Sequence, residues 1–551
     1  MTDLPRPPGF RGGFLTGLRA RAAYSEGAGP YRIVPRAVAV PAHREDVQAL
    51  VRYAGTEGIP LTPRGAGSGM PGGNLGSGVV VDLRKLDRPC RVSLQGTANV
   101  GAAVTWKMLD DVAGHFGFRL PPDPSSGAVC TLGGMVATNA AGARSLRAGS
   151  IREWVRGVEF VSADGEAGWL PRSRAARKVR APTPRSLAER LRIEDRFEPV
   201  AREVRGAASL IEKRFPHTRK NSSGYALDRY LDSGDLVDLV IGSEGTLGII
   251  TRVELTLERR PDAAGTLLLG LRDLEALGTI VPVVLEVEPS AVELLDRSFL
   301  EFVTSRVDID PRKAEAVLLI ELEDRTDDAV GARLDRLHQA VASDATFVRR
   351  GVSRDERERL WDIRHAASPL LAGLPDGRRS LQVIEDGCVP VARLSRYVRG
   401  VRDAARRAGV EIIAFGHAGD GHVHVNALVD ASDASLPKRL TALLGEVTEL
   451  LVSLGGTPSG EHGDGRLRTP MLERFYGADL VDLFRQVKAA FDPAGIFNPG
   501  VIVNGDEPPI ARLKVGPGAT AIPEDIADAL RRIERSAAWG QSPLAQMEDQ
   551  P

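Results

Sequence analysis

The clearest order in the chain is the spacing of its apolar positions. Ala37-Val38-Ala39-Val40 reads as an extended segment, and Pro41 opens a stretch in which Val47, Leu50, Val51 and Ala54 fall on one side at helical spacing. Val79-Val80-Val81-Asp82-Leu83 is an unbroken run of buried-strand character, whereas residues 251–257 alternate with the two-residue period of a half-buried strand. Residues 267–271 and 316–322 predict further buried strands, and the span 386–407 contains a helix. In His422-Val423-His424-Val425-Asn426 the alternation puts two valines on one face and three polar side chains on the other. Residues 1–35, rich in Pro, Gly and Arg, show little period and predict an arm lying over the first domain.

Composition narrows the function classes. A chain of 551 residues is too long for one core and predicts two or three domains. Lys plus Arg (72) balances Asp plus Glu (73), so no net field draws nucleic acid or an anionic membrane, and sequence-specific nucleic-acid binding is not expected. Cys90, Cys130 and Cys388 stand apart, which provides neither a disulfide framework nor an iron-sulfur ligand set. The N-terminus lacks the pattern of a secretory signal, and no apolar run approaches the about 18 residues of a transmembrane segment. The expected location is cytoplasmic, at most peripheral to a membrane.

The glycines are clustered, and clusters mark backbone that must approach a ligand. The first block is Pro63-Arg64-Gly65-Ala66-Gly67-Ser68-Gly69, continuing to Gly72-Gly73. It sits between two strands with no helix directly after it, so the amides of the loop itself would form the anion nest. The second spans Pro121-Pro122-Asp123-Pro124-Ser125-Ser126 and then Gly133-Gly134 to Gly142. The third is Gly242-Ser243-Glu244-Gly245-Thr246-Leu247-Gly248-Ile249-Ile250. Three blocks, each against a strand, predict one flat, extended ligand touched in three places.

Histidine is concentrated in Gly416-His417-Ala418-Gly419-Asp420-Gly421-His422-Val423-His424 and in Glu461-His462, each beside a glycine turn. Two histidines with a carboxylate make an open three-ligand metal site and leave a histidine for proton transfer. The alternative is a set of polar turn residues bonding one another, and by strand alternation His422 is as eligible a ligand as His424.

Taken in order, these blocks, with Thr138-Asn139-Ala140 and Phe497-Asn498-Pro499-Gly500, resemble the FAD-dependent D-2-hydroxyacid dehydrogenases of the vanillyl-alcohol oxidase and para-cresol methylhydroxylase (PCMH) superfamily. The resemblance covers residues 31–503. It implies an α+β fold, with a two-subdomain PCMH-type FAD-binding domain over 36–258 and an antiparallel-sheet substrate cap carrying the metal site over 259–490. A return segment over 491–503 and a tail over 504–551 follow. The tail resembles the linker of longer relatives.

The resemblance also implies roles. Arg64, Gly65, Ala66, Gly67, Ser68 and Gly69 would clasp the pyrophosphate of FAD. Pro122, Asp123, Ser126, Gly133, Gly134, Thr138, Asn139, Ala140 and Gly142 would line the flavin and its ribityl chain. Glu244, Gly245, Gly248, Ile249 and Ile250 would lie along the adenine side, with Asn498 near the flavin and Lys220 in a flavin-proximal Lys-Asn-x-x-Gly-Tyr segment. No histidine lies in the first two blocks, so non-covalent FAD is expected. His417, His424 and Glu461 match the metal ligands, for zinc, manganese or iron, and His462 matches the base. His422 stands where the family often has asparagine, and hydrogen bonding to the site is its expected role. Arg364 matches the arginine that pairs with the substrate carboxylate, with Ser368 one helical turn on and Asn426 also at the substrate. Where hydroxyglutarate enzymes place a lysine this chain has Val383-Ile384-Glu385-Asp386, which speaks against a long dicarboxylate. The implied reaction oxidises a small lactate- or glycolate-like 2-hydroxy acid and passes electrons to an iron-sulfur or quinone-linked acceptor, with a homodimer left open. A non-catalytic FAD subunit and a flavin-dependent alkyl-glycerone-phosphate-synthase-like transferase are the alternatives.

Overall fold

The computed structural model describes residues 4–173, 193–305, 309–375, 377–516 and 518–540. Each half of the fold is organised by its sheets. In the first, parallel strands Ala37–Val40, Val79–Asp82 and Leu61–Arg64 form a small sheet. The helix Arg44–Glu57 buries Val47, Leu50, Val51 and Ala54, the stripe its spacing predicts. A second, antiparallel sheet has Ile249–Thr256 at its centre, between Thr97–Gly101 and Val155–Val161. These are the two α/β subdomains.

The N-terminal segment is more ordered than an arm. Gly13–Leu15 pairs antiparallel with Ala37–Val40 and becomes the edge of the first sheet, a role that rests on backbone hydrogen bonds and leaves no side-chain period to read.

The second half is built on an eight-stranded antiparallel sheet that includes Ala263–Leu271, Ala316–Asp324, Ala291–Asp296, Glu411–His417 and His422–Asp430. One face packs under helices that include Ala276–Leu285, Asp327–Val341, Leu394–Ala408 and Leu436–Ser453. Val423, Val425, Ala427 and Val429 point to that face. The other carries Ile413, Phe415 and Leu428 against the helices Arg297–Val303 and Arg354–His365. The histidines share this second face, near the end of the strands turned to the first half.

The chain re-enters the first half before residue 491. Leu472, Tyr476 and six residues of the helix Ala478–Phe491, namely Leu480, Val481, Leu483, Phe484, Val487 and Phe491, pack in one core with Val253 and Leu255. Among the described residues no helix is long and apolar enough to cross a membrane.

Candidate active site

The site grows out of one hairpin. Glu411–His417 and His422–Asp430 pair in register, with His417 opposite His422 and Phe415 opposite His424. Gly421 closes the tight turn at φ 73°, where a side chain would also strike the Val389 carbonyl. On the neighbouring strand Glu293 faces His417 and is fully buried. The second loop is pinned by Asp386, whose carboxylate accepts from His462 N at 2.9 Å and from Ser459 Oγ at 2.7 Å.

That pinning brings three atoms together. His417 Nε2 and His424 Nε2 are 3.3 Å apart, and Glu461 Oε1 lies 3.4 Å from the first and 3.3 Å from the second. The other ring nitrogens are engaged. His417 Nδ1 donates to Glu293 Oε1 at 2.6 Å, and His424 Nδ1 lies 3.1 Å from the Glu385 carbonyl, which can only accept. Each Nε2 is therefore left with a lone pair aimed at the other and at a carboxylate oxygen. The separations are those of neighbouring ligand atoms on one divalent metal ion with bonds of about 2.0–2.2 Å. Three lone pairs at this spacing require a positive charge between them. Burial by itself would lower His417, but Glu293 and Glu461 outweigh it and raise the ring to about 9, so without a metal a proton can take that place. Burial disfavours the Glu461 carboxylate too, yet Lys220 and His417 hold its pKa well below the usual range. The donor set fits a divalent cation.

His462 stacks on His424, ring centroids 5.2 Å apart, with Nδ1 2.6 Å from Glu385 Oε2 and Nε2 3.5 Å from Glu461 Oε1. Burial lowers this ring, and Glu385 and Asp386 more than compensate, bringing it to about 10. Arg364 is no surface residue. Its Nε donates to Glu293 Oε2 at 2.7 Å and its guanidinium lies 4.5 Å from the Phe415 ring centroid. One buried glutamate thus orients both His417 and Arg364, and these two cations bring it down to about 2 against the upward push of burial. Asn426 Oδ1 accepts from Ser380 and Gln382. Ser368 belongs to the helix Ala367–Ala372, with its side chain outside the described residues.

Above these groups lies a cavity of about 560 Å³. It is lined by Arg64, Gly65, Ala66, Gly67, Ser68 and Gly69, by Ser126, Gly133, Gly134, Thr138 and Ala140, and by Glu244, Gly245, Gly248 and Ile250. Arg364, His424, Asn426, Glu461 and His462 line the same space. The three glycine blocks and the histidine hairpin therefore share one chamber. Gly65 approaches Thr131, the cap of the helix Leu132–Thr138, so closely that a Cβ would lie 2.4 Å from its hydroxyl oxygen.

Several residues expected at the cofactor engage other partners. The Arg64 guanidinium is tucked under its loop, donating to the Glu26 carbonyl at 2.8 Å, and props the loop from behind. Asp123 pairs with Arg144 at 2.6 Å, and a Cβ on Gly142 would meet the Asp123 carbonyl. Asn139 bonds to Ser150 and Ser222, and Ile249 is buried in the core beside Val161. Pro122 is buried away from the cavity lining. Asn498 does not line the cavity but donates to the Gly73 and Glu244 carbonyls, joining the first and third blocks. Lys220 donates to Glu461 at the histidine cluster and does not line this cavity.

Other groups carried no legible motif. Glu293 lies mid-strand in an apolar run, where only its burial identifies it. Glu385 and Asp386 stand beside the absent lysine position, so they read as a loss. The tail contributes Arg531, Glu534, Arg535, Ala537 and Trp539 to the cavity wall, a placement its likeness to a linker does not suggest.

Comparison with known proteins bears on this arrangement. Residues 35–170 match a family model described as FAD binding domain, and residues 260–502 match the C-terminal domain of FAD linked oxidases. The D-lactate dehydrogenase of Archaeoglobus fulgidus is 31% identical over 493 residues, 87% of this chain and 95% of the relative. The glycolate oxidase subunit GlcD of Bacillus subtilis is 29% identical over 87% of this chain and 92% of its own length. The D-2-hydroxyglutarate dehydrogenase of Escherichia coli is 29% identical, with 50% of its length matched. Among solved structures, a 4-ethylphenol oxidase from Gulosibacter chungangensis superposes with TM-score 0.63 at 16% identity, covering 89% of this chain and 94% of its own. p-Cresol methylhydroxylase gives 0.62 at 14%, covering 90% and 94%. At such identity these structures speak for the PCMH-type fold alone. The chain belongs to the FAD-dependent D-2-hydroxyacid dehydrogenases, flavoprotein oxidoreductases acting on CH–OH donors.

Proposed function

We propose that the protein oxidises a small D-2-hydroxy acid, of lactate or glycolate size, to the 2-oxo acid, using non-covalent FAD and a divalent metal held by His417, His424 and Glu461. The observation that carries this reading is the triangle of facing atoms at 3.3–3.4 Å, beside Arg364 in the chamber lined by the glycine blocks. When bound, the flavin supplies a two-electron acceptor at N5 and the metal supplies Lewis acidity that lowers the pKa of the substrate hydroxyl.

The protein's own groups do the rest. With Nε held by Glu293, Arg364 has its terminal nitrogens to offer the substrate carboxylate. His462 takes the hydroxyl proton at Nε2, and Glu385 at Nδ1 fixes the tautomer and stabilises the resulting imidazolium. Since Glu385 and Asp386 favour the protonated ring, the neutral form that must start the reaction depends on positive charge held beside Glu461. Asn426, Ser380 and Gln382 line the cavity together with Arg378 and Arg379, while Val383 and Ile384 are buried in the cap core. The preference for a short substrate rests on Val383-Ile384-Glu385-Asp386, which offers no lysine to a distal carboxylate. Electrons then pass to an acceptor other than oxygen, an iron-sulfur or quinone-linked partner.

The test is anaerobic mixing of the purified flavoprotein with D- and L-2-hydroxy acids, following the flavin band with and without a chelator. Bleaching by short D-acids that chelation abolishes is expected. Bleaching indifferent to chelation would remove the metal, and stoichiometric FAD that no 2-hydroxy acid reduces would remove the reaction.

A further inference from the structure

His422 is the imidazole at this site to which the proposed reaction gives no task. It stands on the strand face of His424, opposite His417, and has no exposed surface (0%). Its ring centroid lies 4.6 Å from that of His424 and 5.3 Å from that of His417. Nε2 is 2.8 Å from Asp386 Oδ1, and an ionised carboxylate only accepts, so the proton sits on Nε2 and Nδ1 keeps its lone pair. That Nδ1 is buried with no hydrogen-bond partner among the described residues. A bare buried acceptor is costly, and here it stands among side chains that already crowd lone pairs together. One nitrogen of this ring lies within 4.8 Å of ligand atoms of His417, His424 and Glu461.

We infer that His422 is a fourth protein ligand, so that three imidazoles and one carboxylate hold the metal. The inference rests on the metal reading above. It has a chemical consequence. Four protein ligands with a hydroxyl and a carboxylate oxygen from the substrate fill six positions, which suits an octahedral manganous or ferrous ion better than tetrahedral zinc. His417 and His422 lie off the cavity whereas His424 and Glu461 line it, so the open positions face the substrate. Asp386 on the far nitrogen then acts as the carboxylate that orients a metal-bound imidazole, as Glu293 does for His417.

The experiment is X-ray absorption on the full-length flavoprotein loaded with Mn(II), comparing the wild type with His422→Asn. Three imidazole ligands in the wild type and two in the variant are expected, at equal FAD content. The dissociation constant for Mn(II) should rise more than the roughly 10–100-fold that follows loss of a mere orienting partner. Two imidazoles in both proteins would overturn the assignment of His422 while leaving the metal site in place. A wild type that binds no Mn(II), Fe(II) or Zn(II) would overturn the metal reading itself. Should the variant not fold, the count in the wild type decides alone.

Discussion

Lys220 Nζ donates to Glu461 Oε2 at 3.0 Å, while the other oxygen of that carboxylate faces His417 and His424. The two oxygens have separate jobs: one is held, the other is offered. Lys220 also donates to the Gly142 carbonyl and lies 3.4 Å from Asp420, all of it buried. Lys220→Met leaves two buried carboxylates without their cation, and loss of one partner from such a pair costs about 3–5 kcal/mol. Urea unfolding of metal-depleted protein should show that loss, and metal content after dialysis should fall because Glu461 is no longer oriented. A variant as stable as the wild type would mean that water already screens the pair.

Arg364 is proposed to serve the substrate, yet it also completes the set around Glu293. Arg364→Lys keeps a charge but loses the fork that meets a carboxylate through two nitrogens. Charged hydrogen bonds contribute about 1.5–3 kcal/mol, so kcat/KM should fall about 10–100-fold. Steady-state kinetics with a short 2-hydroxy acid and an artificial electron acceptor measures this. An unchanged kcat/KM would leave Arg364 a purely structural partner of Glu293.

The face of each core element was legible because its periods are strong, as with Val47, Leu50, Val51 and Ala54, or Val423 and Val425 against His422 and His424. The histidine hairpin and the glycine blocks were legible because each needs residue types that ordinary core packing does not select. What stayed hidden is chemistry carried by single residues with no pattern. Glu293 sits in Ala291–Asp296 like any strand residue, and only the register that sets it opposite His417 shows its use. Arg64 was legible as part of a phosphate-type loop, but whether its long side chain points out or folds under depends on Tyr24 and Glu26, far away in sequence. The partners of Asn498 and Trp539 are more distant still.

The helix Glu524–Ser536 and Trp539 close the cavity against the N-terminal segment, with Ile526, Leu530 and Ile533 packed on Ala22 and with Ala28 and Val129 beside them. Arg84 adds a hydrogen bond to the Trp539 carbonyl. The helix should therefore retain the cofactor. Trp539→Ala should lower stability by about 3–5 kcal/mol, the usual cost of a large aromatic removed from a packed site. A chain truncated after residue 518 should lose FAD on gel filtration, read as the ratio of flavin to protein absorbance. Full flavin content in the truncated chain would show that the helix only covers the cavity wall.

The Glu244 carboxylate accepts from Asp464 N at 2.6 Å and Gly465 N at 3.0 Å, tying the third glycine block to the loop that carries Glu461. Burial, then the charge of Asp464, raises Glu244 from 4.5 to about 8. The sign follows from proton counting. Below pH about 4.5 both folded and unfolded chains hold this proton. Between about 4.5 and 8 only the folded chain keeps it, so stability falls as pH rises, by about 1.4 kcal/mol per unit at most, and above about 8 the loss is complete. Glu244→Gln retains an acceptor for both amides but has no proton to lose. Its stability relative to the wild type should thus be near equal at pH 4.5, grow steadily to pH 8 and then level off, reaching a few kcal/mol in favour of the variant. Thermal unfolding of both proteins across that range, in one buffer series, measures the difference directly. Parallel curves would show that the Glu244 carboxyl is ionised throughout, with the Asp464 and Gly465 amides alone sufficient to hold its charge.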